Sequence, residues 1–170
     1  MTEDEEFRDF MRGRWPTMLR LAYGLTGDRG HAEDVAQAAF ARAFASWGRV
    51  RRTGDPDAYV RRILINENRR RFRKHRVAED LPGVLPEPAA APAKDAAGEW
   101  DERASLLAAL RALPPRQRAV VVLRYWMDMS ETETAAALNC STGTVKSQAS
   151  RALATLRGNL RGNVVEEELR

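Results

Sequence analysis

The chain has 170 residues, a net charge of +4 and a sequence pI near 9.7, enough for one ordinary domain or two small ones. Hydrophobic residues make up 44% and charged residues 31%, so the chain can bury a core and global disorder is excluded. A single cysteine, Cys140, excludes an intrachain disulfide and a Cys-based zinc site, two histidines (His31 and His75) leave little for metal or neutral-pH acid–base chemistry, and no apolar run approaches a membrane span.

Residues 1–76 carry 17 basic and 11 acidic residues and read as helix throughout. The acidic N-terminus lacks the basic-then-apolar layout of a secretion signal, so a cytoplasmic location is expected. Phe7, Phe10, Met11, Met18, Leu19, Ala22 and Leu25 recur at helical spacing, with Pro16 expected to start a new turn or kink the helix. Gly27 followed by Asp28 reads as a stop and an N-cap. An apolar stripe, Val35, Ala36, Ala39, Phe40, Ala43, Phe44 and Trp47, then continues to about Gly48. Glu33 and Asp34 suit the positive end of that helix, which leaves Gln37 and Arg42 unexplained except as part of a protein-docking surface.

After a loop over 49–56, a third helix from about Pro56 to Arg76 is expected, capped by Asp55 or Asp57. Tyr59, Val60, Ile63 and Leu64 anchor its first half. Residues 61–76 hold eight Lys and Arg residues against one acid, Glu67. Such a run neutralises phosphates and makes binding salt-sensitive. Asn66 and Asn68 beside it have the chemistry to bond base edges; Tyr59, Phe72 and Trp47 have rings that stack on bases, although core packing is the plainer fate of each.

Residues 77–101 read as a linker with one basic and six acidic residues; the segment from Leu81 to Pro92 holds four of the eight prolines, and no regular element is expected there. From 102 to 161 the chain reads as helical again. Leu106, Leu107, Leu110 and Leu113 give one face, and Pro114-Pro115 separates it from a helix bearing Ala119, Val120, Leu123, Trp126 and Met127. Ser130 and Glu133 form a capping box for a short helix with small residues Ala135 and Ala136 for a close crossing. Asn139-Cys140-Ser141 is a tight turn, with Asn139 suited to a left-handed conformation. The last helix runs from about Thr142 to Leu160, and residues 162–170 are expected to be a solvated tail. Its apolar side is Val145, Ala149, Ala152, Leu153 and Leu156; Gly143, Thr144, Ser147, Ser150 and Arg151 face the other way, with Lys146 and Gln148 on the flanks. This is a helix-turn-helix whose small, polar, basic face fits a major groove.

These motifs together resemble the extracytoplasmic-function sigma factors of the sigma-70 family. Ala32-Glu-Asp-Val-Ala-Gln-Ala-Ala-Phe40 is similar to the family's core-polymerase-binding motif, Asp55-Pro-Asp-Ala-Tyr-Val-Arg-Arg-Ile-Leu-Ile-Asn66 to its promoter −10 region, and Leu113-Pro-Pro-Arg-Gln-Arg118 with Gly143-Thr-Val-Lys-Ser147 to its −35-binding domain. The match runs from about residue 6 to 160, with only the linker unmatched. The resemblance implies an all-α fold of two small helical domains, sigma-2 over 1–76 and sigma-4 over 102–161, on a flexible Ala/Pro-rich linker. It implies core RNA polymerase contacts at Asp34, Gln37, Phe40 and Arg42. It implies −10 contacts at Arg51, Arg52, Tyr59, Arg61, Arg62, Asn66, Arg69, Arg70 and Arg73. It implies −35 contacts at Thr142, Thr144, Lys146, Ser147, Gln148, Ser150 and Arg151. The expected partners are core polymerase, promoter DNA and an anti-sigma protein, with no small-molecule ligand and no cofactor. No fused C-terminal sensor domain or anti-sigma module is recognised. Thr134, Asn139 and Gln148 depart from the residues common in the family. An enzyme is not expected, because no nucleophile–base pair, phosphate loop or metal cluster stands in the sequence. The alternative reading is a stand-alone helix-turn-helix regulator, which needs a ligand or dimerisation site where a sigma factor needs a polymerase-docking helix at 32–44.

Overall fold

Capping chemistry sets the first helix boundaries. Helix α1 (Glu3–Thr26) begins in a capping box: Glu5 N donates to Thr2 Oγ1 at 3.3 Å and Thr2 N donates to Glu5 Oε2 at 2.8 Å. It ends at Gly27, whose φ of 68° is left-handed and whose N–H donates to Tyr23 O at 2.8 Å. Pro16 neither ends nor divides this helix; its ring is on the solvent side, so the turn before it is spared a buried clash. Asp28 caps α2 (Arg29–Ala45), accepting from His31 N at 2.8 Å. The expected single run to Gly48 is in fact two elements, because the chain turns at Ser46 into the short α3 (Trp47–Val50). Asp55, rather than Asp57, caps α4 (Pro56–Glu79), with Ala58 N donating to its Oδ1 at 2.9 Å.

The computed structural model describes residues 1–79 and 99–168, with side chains described for 1–77 and 103–162. All regular structure among them is helical, and the chain divides into two units, Met1–Ala91 and Pro92–Arg170. Most of the expected linker lies outside the described residues, and helices occupy its two ends, since α4 reaches Glu79 and α5 begins at Glu99.

In the first unit α1, α2 and α4 pack against one another. The α2 side of the contact is built from Ala32, Val35, Ala36, Ala39 and Ala43, whose small side chains let the helices approach closely. Met18, Leu21, Leu25, Val60, Leu64 and Ile65 fill the space between, each contributing about 1.5–3 kcal/mol of burial. An aromatic cluster closes one end: Phe7 lies edge-on to Trp47 at 5.2 Å and to Phe40 at 6.4 Å, and Phe10 sits 4.9 Å from Trp47.

The second unit holds α5 (Glu99–Ala112), α6 (Pro115–Val121), a π-helical turn (Val122–Trp126), α7 (Glu131–Leu138) and α8 (Thr142–Glu168). Four consecutive residues, Val120 to Leu123, are buried. At about 100° per residue an α-helix cannot put four neighbours on one face; the run is covered on more than one side, with α8 packed on α6 and α7 on the wider turn that follows, where Met127 N donates to Val122 O at 2.9 Å. The α5 face is narrower than expected: Leu110 and Leu113 are buried, Leu107 is half-buried and Leu106 is exposed. Helix α8 continues past Leu160 to Glu168, through most of the segment read as a tail.

Candidate docking and nucleic-acid interfaces

On α2 the spacing of Asp34, Gln37 and Ala41 follows from the buried positions between them, which fix one face inward and turn these three outward. Gln37, Ala41 and Phe44 border an open apolar cavity of about 270 Å³ whose other walls are Phe7, Met11, Trp15 and Phe40. Phe40 is 2% exposed and Phe44 48% exposed. The expected contact residue Phe40 therefore lies at the floor of this cavity, while Phe44, from the same apolar stripe, stands at the rim. Neither charged member of the expected set is free. Asp34 Oδ2 lies 3.0 Å from Arg71 Nη2, and Arg42 Nε lies 2.5 Å from Glu67 Oε1.

On α4, Arg62, Asn66, Arg69 and Arg73 recur at intervals of four, three and four, and all are exposed, so they make one polar and cationic stripe. Arg70 is also exposed, 3.8 Å from Glu67; Tyr59 and Arg61 are half-buried at the start of the helix. Arg52 is exposed in the turn before α4. Arg51 is committed within the unit, its guanidinium lying 2.8 Å from Glu3 and 2.9 Å from Glu6 in the acidic first turn of α1. Of the three rings considered for stacking, Trp47 is buried, Tyr59 half-buried and Phe72 exposed.

In the second unit α7 and α8 form the expected helix-turn-helix. Glu133 N donates to Ser130 Oγ at 3.0 Å and Ser130 N to Glu133 Oε2 at 2.7 Å, which starts α7. Asn139, with φ 53° and ψ 52°, ends it in a left-handed cap. Thr144 N then donates to Ser141 Oγ at 3.1 Å at the head of α8. Val145, Ala149, Ala152 and Leu156 are buried, and this registers Thr142, Lys146, Ser147, Ser150 and Arg151 as exposed, with Thr144 and Gln148 half-buried beside them. Lys146 Nζ is 3.6 Å from Glu131 Oε2 at the start of α7. The α7 crossing uses Thr134 and Ala135; Ala136, expected there, is exposed. Thr134 is 0% exposed and its Oγ1 has no hydrogen-bond partner.

One structural anchor escaped the sequence. Arg118 donates to three backbone carbonyls at the end of α5: Leu110 O at 2.8 Å, Arg111 O at 2.7 Å and Leu113 O at 3.1 Å. These are orphan acceptors of a helix C-terminus, where a cation is favoured. Burial, and secondarily the nearby Arg111, lowers the guanidinium pKa from its ordinary value. A signal was present in the position of this arginine, one turn after the Pro-Pro break. Among the described residues there is no group of three or more His, Cys, Asp or Glu side chains that can hold a metal ion, and no helix long and apolar enough to cross a membrane.

Comparison with known proteins gives two family matches in order along the chain: Sigma-70 region 2 over residues 12–77 and Sigma-70, region 4 over residues 103–156. An RNA polymerase sigma-E factor of Streptomyces coelicolor is 42% identical over 160 residues, covering 94% of this chain and 89% of that one. An ECF RNA polymerase sigma factor of Rhodopseudomonas palustris is 30% identical, covering 89% and 83% of the two chains. Among solved structures, the sigma factor RpoE of Bartonella quintana, crystallised with the anti-sigma factor NepR, matches with a TM-score of 0.75 at 27% identity over 92% of this chain and 98% of that one. With both helical units, the motif order and near-full-length relatives in agreement, the chain belongs to the extracytoplasmic-function sigma factors, RNA polymerase initiation factors of the sigma-70 family.

Proposed function

We propose that the two units divide promoter recognition between them and that the chain itself performs no catalytic step, the polymerase supplying the chemistry. The observation that carries this reading is the make-up of the first unit, where α2, which borders an apolar cavity through Gln37, Ala41 and Phe44, packs against α4, a helix with a cationic outer stripe. A docking surface and a nucleic-acid surface on packed helices bring polymerase and promoter strand together without further machinery. In this reading Asp34, Gln37, Arg42 and the cavity rim meet core polymerase. Asn66 takes a −10 base of the non-template strand, and Arg52, Arg61, Arg62, Arg69, Arg70 and Arg73 hold its backbone. Tyr59 supports the start of that helix, and Arg51 orders the preceding turn through Glu3 and Glu6. Thr142, Thr144, Ser147, Gln148, Ser150 and Arg151 approach the −35 major groove, with Lys146 on a phosphate.

The protein works in the cytoplasm beside polymerase, and a separate anti-sigma protein holds it inactive. Support for that partner comes from the RpoE relative, which is described in complex with an anti-sigma factor. The test is run-off transcription with purified core polymerase on a genomic fragment library. Discrete promoter-specific transcripts that need both the chain and core polymerase are expected. Specific DNA binding without any polymerase-dependent initiation would overturn the reading and favour a stand-alone regulator.

A further inference from the structure

The sequence holds two histidines, 44 positions apart, and the fold brings them together. His31 lies in the first turn of α2 and His75 near the end of α4, with ring centres 5.6 Å apart and planes inclined by 59°. They continue the contact between the two helices that also joins Asp34 to Arg71. Neither ring is sealed in the core: the His31 side chain is 35% exposed and His75 is half-buried.

Imidazole nitrogen suits divalent ions of the nickel, copper and zinc group. Two imidazoles on one tetrahedral ion, at about 2.0–2.1 Å per nitrogen, hold their ring centres roughly 5 Å apart. The observed separation is within a small side-chain adjustment of that value. A metal-bound histidine commonly has a carboxylate behind it that fixes its tautomer and ring orientation. Asp28 stands in that place: its Oδ1 accepts from His31 N at 2.8 Å and lies 3.6 Å from His31 Nδ1. A carboxylate there favours a proton on Nδ1 and leaves Nε2 as the donor to a metal. The cations beside the pair in sequence are paired or solvated: Arg29 lies 3.3 Å from Glu33, Arg71 lies 3.0 Å from Asp34, and Lys74 and Arg76 are exposed. We propose that His31 and His75 form a two-histidine site for one divalent transition-metal ion of the nickel–copper–zinc group, with water completing the coordination and Asp28 positioning His31. The ion staples the end of α4 to the head of α2. This site is independent of the polymerase and promoter roles proposed above.

The experiment titrates the full, untagged chain with copper, nickel and zinc chloride in separate calorimetric runs. One ion per chain is expected, bound tightest for copper, with magnesium and calcium not competing. Because the chain has only two histidines, its imidazole proton resonances report this site directly, and paramagnetic nickel should broaden both together. Asp28→Asn, which keeps an oxygen for the helix cap, should weaken binding by about tenfold, the lower end for a residue behind a metal ligand. His31→Gln and His75→Gln should each weaken it further. Zinc should raise the thermal unfolding midpoint of the wild type and leave those of the two histidine variants unmoved. Both rings are partly exposed, so the helical circular-dichroism signal of the metal-free variants should match the wild type. Undiminished binding in either histidine variant overturns the proposal, because the ion then sits elsewhere. Broadening of one imidazole without the other also overturns it, as does the absence of binding by all three ions. Wild-type affinity in Asp28→Asn removes the positioning role of Asp28.

Discussion

Asp34 on α2 and Arg71 on α4 are joined at 3.0 Å, and a second pair, Arg42 and Glu67 at 2.5 Å, joins the same two helices. As the α2 number rises from 34 to 42 the α4 number falls from 71 to 67, so the pairs run along an antiparallel seam. Each is solvent-accessible on at least one side and contributes about 0–1 kcal/mol to stability. Their larger consequence is for binding. The acid expected to meet polymerase already has a cation, and that cation belongs to the helix expected to meet DNA.

Docking should therefore be sensitive to both ends of the Asp34–Arg71 pair, in opposite directions. Asp34→Ala combined with Gln37→Ala should weaken core binding with an unchanged helical circular-dichroism signal. Arg71→Gln should strengthen it by up to about fivefold, the equivalent of a released surface pair. A fluorescence titration of labelled protein with core polymerase measures both. Unaltered affinity in the double variant sinks the assignment of this face.

Thr134 is a defect in the helix-turn-helix core. Its Oγ1 is buried without a partner, and an unsatisfied buried hydroxyl costs about 1–3 kcal/mol. Thr134→Val keeps the shape and removes the orphan atom. The second unit should gain about 1 kcal/mol or more in urea denaturation, with −35 DNA affinity unchanged. A loss of stability would mean that the hydroxyl is needed where it lies.

Arg118 acts as the C-terminal clamp of α5, its fork spread over three carbonyls. Arg118→Ala strands those acceptors and should cost about 2–3 kcal/mol in the second unit. Amide exchange should accelerate first in α5. Lysine carries the charge but not the planar fork, so Arg118→Lys should recover only part of the loss. An Arg118→Ala variant with wild-type exchange in α5 would remove the clamp role.

The helix boundaries were legible wherever a side chain caps locally, as at Gly27 and Asp28, Ser130 and Glu133, and Asn139. Capping is decided within four residues, so the sequence carries it whole. Packing is not. Phe40 and Phe44 share one apolar stripe, and only the placement of α1 decides that the first is covered and the second stands at a rim. The same holds for Thr134 against Ala136 on α7. The ion pairs of Arg42, Arg51 and Asp34 join residues 25 to 48 positions apart, and no periodicity announces them. The family resemblance was readable because it rests on motif order along the chain rather than on which edge of a helix is covered.

The recognition helix offers a separation of phosphate from base contacts. Lys146 is exposed and lies 3.6 Å from Glu131, whereas Arg151 is exposed on the outer face of α8 nearly one and a half turns further on. A bidentate arginine–base contact is worth about 1–3 kcal/mol of discrimination. Arg151→Ala should therefore weaken the cognate −35 element by that amount and relax preference at one base pair. Lys146→Ala should weaken all sequences equally and reduce the slope of log affinity against log salt by about one. Glu131→Gln should do the reverse of Lys146→Ala: it frees the ammonium for phosphate and raises affinity for every sequence. Binding curves for holoenzyme on cognate and scrambled −35 fragments, each at several salt concentrations, separate these effects. If Arg151→Ala keeps the wild-type base preference while Lys146→Ala alters it, the base and phosphate roles on α8 are assigned the wrong way round.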